Sequence, residues 1–158
     1  MKFLLKIMDV KCLSILEEML SVDWLSLPPF EFNEIIVESW LKLVAKNEGF
    51  ELGEVALVFC TDEELLEMNR KHLDHDFYTD IITFDYSEDN CVAGDLFVSV
   101  DRVRENASDL LQDFNRELHR VVVHGVLHLC GYGDKSDEEE AVMREKEDFY
   151  LNKLKGFT

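Results

Sequence analysis

Over residues 34–46 apolar side chains return at Ile36, Trp40, Leu43 and Val44, the spacing of one face of a helix, and Asn33 stands before them as a cap. The pattern then shortens. Residues 54–60, EVALVFC, form an apolar run rich in strand formers, which predicts a buried strand. Thr61 and Glu64 have the Ser/Thr-x-x-Glu form of a capping box, opening a helix to about residue 71. Strands are expected at 80–86 and 95–100, with the acidic stretch carrying Asn90 and Gly94 as a hairpin-like connection. Asp101 can cap a short helix.

From about residue 115 the run RELHRVVVHGVLHLC is apolar on nearly every side, as a helix through the core would be, and Gly131 supplies a left-handed stop. Ser136 and Glu139 make a second capping box for a final helix to about residue 153. Few strands among helices in mixed order predict an α+β domain: one small mixed sheet covered by helices, with the buried helix at its centre. Pro28 and Pro29 set off the N-terminal part. There, residues 11–20 can form a short helix or belong, with the rest of 1–25, to an N-terminal extension.

The length of 158 residues suits a single domain that buries roughly two-thirds of the surface its unfolded chain exposes. Lys6 and Asp9 interrupt the apolar start before a signal-peptide core can form, and no uncharged run approaches the ~20 residues of a membrane span. A cytoplasmic location with no membrane partner follows as the expectation. Cys12, Cys60, Cys91 and Cys130 form no CxxC pair and read as reduced packing residues. A net charge of −18 opposes broad binding to nucleic acid, so an RNA partner would need a local basic face.

His124 and His128 lie four apart on the core helix, one turn above each other, and can direct two imidazoles at one ion. After the stop at Gly131, the turn Tyr132-Gly133 can return Asp134 as an oxygen ligand. Two imidazoles and a carboxylate leave the fourth position of a tetrahedral zinc open, the pattern of a catalytic site. His119, about 140° further round the helix, should face elsewhere. Arg120 shares the face of His124 and can either hold a phosphate or pair with a nearby acid.

The segment HGVLHLCGYGD departs from the zinc-protease pattern HExxHxxGxxH at Gly125, where those enzymes keep their glutamate base. It resembles closely the HGxLHLxGYDH signature of the YbeY family. The likeness extends to Asn69, to the segment TDIITF at 79–84 and to GDLFVS at 94–99. The resemblance implies a metal-dependent, single-strand-specific endoribonuclease that matures the 3′ end of small-subunit 16S ribosomal RNA and serves ribosome quality control. Zinc is the expected cofactor, one per chain, another divalent metal being the alternative. The ribosomal small subunit or its proteins are the expected partners.

By position, His124 and His128 take the family's first two ligand places, and Asp134 stands where the third histidine would be. The family's arginine just after the Asn69 helix is matched here by Leu73, which moves any phosphate contact to Arg70, Lys71 or Arg120. The catalytic work falls to water on the ion, with no side chain singled out as base. The alternative reading is a ribosome-assembly factor whose metal is structural.

Overall fold

The computed structural model describes residues 18–158, in which β1 (Leu20–Trp24), β2 (Glu51–Cys60), β3 (Ile81–Asp85) and β4 (Cys91–Ser99) form one sheet of order β1-β2-β4-β3. β1, β2 and β4 run parallel, and β3 pairs antiparallel with β4 as the opposite edge. The helices are α1 (Glu34–Asn47), α2 (Asp62–Leu73), α3 (Val100–Asp109), α4 (Phe114–Leu129) and α5 (Asp137–Leu154). This is the α+β arrangement the sequence implies, with a mixed sheet under helices. Among the described residues no helix is long and apolar enough to cross a membrane.

The period of two along each strand sorts the core. Leu57, Phe59, Leu96 and Val98 belong to the main core with Trp40, Leu41 and Val44 of α1 and Val122, Val123 and Val126 of α4. Cys60 and Ile82 belong to a smaller cluster with Leu65 of α2. Gly125 lets α4 lie close to the sheet: a Cβ there would stand 2.6 Å from Ile81 Cδ1 and 3.1 Å from Leu96 Cδ2. A side chain at the position that a zinc protease gives to its glutamate would thus have to displace Ile81 and crowd Leu96.

Both capping boxes form as read, Thr61 with Glu64 and Ser136 with Glu139. Three expectations are corrected, the first being Gly94, which lies within β4 opposite Asp85 rather than in the connection, because the strand begins at Cys91. The cap of α3 is Ser99, whose Oγ accepts from the Arg102 amide at 3.1 Å, while Asp101 accepts from the Asp62 amide at 2.9 Å. The reason is that β4 ends one residue before the expected 100, so the helix begins sooner.

The N-terminal part also differs. Leu20 starts a strand rather than ending a helix, and residues 20–24 pair in register from Leu20↔Val55 to Trp24↔Phe59. Glu38 on α1 fixes this edge by accepting from the amides of Met19 and Leu20 at 3.0 and 3.1 Å. Five residues of LSVDW carry little local signal, and their stability comes from a partner more than thirty positions away. The remainder of the expected 11–20 helix, and of the 1–25 extension, lies outside the described residues.

Candidate metal centre

Asp113 opens α4 by accepting from the amides of Asn115 and Arg116 at 2.9 and 3.3 Å. With the apolar residues of the helix turned into the core, Glu117, Arg120, His124 and His128 form a polar stripe at three- and four-residue spacing. The helix ends in a Schellman turn: Gly131 N–H bonds His128 C=O at 2.9 Å and Tyr132 N–H bonds Leu127 C=O at 3.1 Å, with Gly131 at φ +100°. This turn folds Tyr132 back over the stripe. It also brings Asp134 to the two histidines.

Nε2 of His124 and Nε2 of His128 are 2.9 Å apart, and Asp134 Oδ2 lies 3.3 and 3.2 Å from them. A tetrahedron with bonds of about 2.0–2.1 Å has edges of about 3.3–3.4 Å, so these three atoms stand nearly where three zinc ligands would. The hydrogen bonds on the other ring nitrogens decide what those atoms offer. His124 Nδ1 is 2.7 Å from Glu147 Oε1, and His128 Nδ1 is 2.8 Å from the Tyr132 carbonyl.

Both of those partners accept, so each Nδ1 carries a proton, and in the neutral ring each Nε2 then presents a lone pair. Two lone pairs and a carboxylate oxygen converging on one point repel one another unless a cation lies between them. The donor set fits a divalent metal, and among the described residues this trio is the one group so placed.

Arg120 takes the ion-pair alternative. Its Nε lies 2.9 Å from Glu117 Oε2, its terminal nitrogens reach Glu117 and, at 3.3 Å, Glu147, and Asp80 stands 3.7 Å away. Of the two readings of Arg120 the ion pair is the one that forms here, its guanidinium fork engaged by carboxylates within a largely buried cluster. Glu117 and Glu147 were not among the residues singled out by sequence. A signal existed, since Glu147 falls in the stripe Met143, Glu147, Tyr150, Leu151 and Leu154, where a carboxylate among apolar neighbours announces a buried partner.

A second cluster supports the turn. Glu48, just past α1, accepts from the hydroxyls of Tyr132 and Tyr150 and from Lys146 Nζ at 2.8 Å. Burial pushes its carboxyl up, but the three donors outweigh burial and hold it below the ordinary 4.5. A depressed acid stabilises the fold above its unfolded value, and that contribution is lost as the pH falls through the folded one. Denaturant titrations from pH 7 to about 3 should therefore show a steeper acid loss below ~4.5 in the wild type than in Glu48→Gln. Equal slopes would remove Glu48 from the account.

The remaining candidates lie elsewhere. Burial pushes the Cys130 thiol up to about 12, and its sulfur is not among the metal-capable atoms, in keeping with a packing role. His119 packs between Phe32 and Trp40, away from the trio. Arg70 pairs with Asp76 on the exposed end of α2, and Lys71 and Leu73 are exposed beside it.

Residues 26–155 match the family described as Endoribonuclease YbeY. The Parabacteroides distasonis protein named Endoribonuclease YbeY is 52% identical over 111 residues, covering 70% of this chain and 78% of that protein. The protein of the same name from Cytophaga hutchinsonii is 50% identical over 117 residues, 73% of this chain and 82% of that one. A solution structure of a Thermotoga maritima protein aligns with a TM-score of 0.62 at 27% identity, over 87% of this chain and 90% of that one. From the family match, the relatives at about half identity and the shared fold it follows that this chain belongs to the YbeY family.

Proposed function

We propose that the protein is a zinc-dependent endoribonuclease that acts on single-stranded ribosomal RNA precursors, at the 3′ end of 16S RNA, in the cytoplasm. The observation that carries the reading is the convergence of His124, His128 and Asp134 on one point, in a chain whose relatives are named endoribonucleases. Three protein ligands leave one position for water or substrate, as catalytic rather than structural zinc requires. When bound, the ion would polarise a phosphoryl oxygen and acidify water, the chemistry that phosphodiester cleavage needs.

The chain's own residues hold and aim the ligands. Glu147 and the Tyr132 carbonyl keep the protons on Nδ1, and the Asp134 side chain, 39% exposed, faces the open side. With Arg120 engaged and Leu73 in the arginine's place, Arg70 and Lys71 are the candidates for phosphate contact. Phe77 and Tyr78, 57% and 46% exposed and flanked by His75 and Arg102, are the candidates for stacking with unpaired bases, while the net charge of −18 leaves the RNA backbone to a local basic face. Association with the ribosomal small subunit is the setting this substrate implies.

The test is cleavage of a ribosomal RNA precursor by purified protein before and after chelation, with zinc then restored. Activity that disappears and returns is the expected result. Chelation without effect on cleavage would overturn metal dependence, and a metal-loaded protein that never cuts would favour an assembly role.

A further inference from the structure

Glu147 has two neighbours that could account for its burial, and their distances differ. Its carboxylate is 3.3 and 3.4 Å from Arg120 but 2.7 Å from Nδ1 of His124. Arg120 holds Glu117, which is fully buried, through both Nε and one terminal nitrogen, and reaches Glu147 only with the other, at the longer distances. The short bond belongs to the histidine.

We propose that Glu147 is the positioning residue of the metal centre, fixing the tautomer, aim and donor strength of His124, and that the Glu117–Arg120 pair holds Glu147 in place. The inference rests on the reading that the trio holds an ion. Without an acceptor at Nδ1, the imidazole proton is free to sit on Nε2, where it blocks coordination. With a carboxylate there, Nε2 is kept bare and made more basic.

The two histidines are therefore unequal. His128 leans on a neutral carbonyl that its own turn supplies, and His124 leans on a charge carried by α5. His124 is the stronger donor of the pair. α5, which contributes no ligand, thereby sets how tightly the metal is held.

The test uses the full chain as wild type, Glu147→Gln and Glu147→Ala, with zinc affinity read by competition against a chromophoric chelator. Nitrogen NMR of the wild type reports which nitrogen of His124 carries the proton. Glu147→Ala should lose about 10- to 100-fold in affinity. Glu147→Gln, which keeps an accepting oxygen, should fall between it and the wild type. His124 should be protonated at Nδ1 both with and without zinc.

A wild type that binds zinc, beside an alanine variant of unchanged affinity, overturns the proposal and leaves the metal site standing. So does a proton found on Nε2. If Glu147→Ala does not fold, the glutamine variant and the wild-type tautomer decide. A wild type that binds no zinc overturns the metal reading, and this inference with it.

Discussion

Replacing His128 with alanine is expected to abolish metal retention and RNA cleavage while leaving the fold in place. The side chain is a quarter exposed and, outside the trio, bonds one backbone carbonyl, so its loss strands no buried charge. Structural zinc sites with four protein ligands bind with roughly 10–16 kcal/mol, about 3 kcal/mol for each ligand, so losing one of the three here should cost ~10²-fold in affinity. Elemental analysis after dialysis should find the variant depleted, with its far-ultraviolet circular dichroism unchanged and cleavage at the level of chelated wild type. Full metal content in the variant would show that His128 is not a ligand.

The largest effect on stability is expected at Arg120. Arg120→Met removes the guanidinium that pairs, among the described residues, with Glu117, Glu147 and Asp80, two of them buried. Breaking a buried pair by deleting one partner costs about 3–5 kcal/mol, because the other charge stays in a poor solvent. For a domain of this size that is a fall in melting temperature of ~10 °C or more, readable by calorimetry. Acidification neutralises the stranded carboxylates, so the deficit should narrow at low pH. A loss below about 1 kcal/mol would mean that water already reaches the cluster.

Those two residues mark what sequence could and could not reveal. His128 was legible because a chelating pair is a local pattern, four positions apart on one helix with a glycine stop after it. The capping boxes at Thr61 and Ser136 were legible for the same reason. Arg120 was ambiguous, since its partner Glu117 is three residues away but Glu147 and Asp80 are 27 and 40 positions distant. β1 was missed on similar grounds, as its pairing with β2 is long-range and its own five residues are equivocal. The support of the site was less visible than the site because support is assembled across elements.

The two acceptors at Nδ1 bear on how portable the motif is. Tyr132, which steadies His128, travels inside the same short peptide as the three ligands, whereas Glu147, which steadies His124, does not. A graft of residues 124–134 onto another protein's helix would carry every ligand and only one of the two orientations. The recipient would gain a loose binder rather than this centre, unless its second helix brought a buried acid to meet the first imidazole.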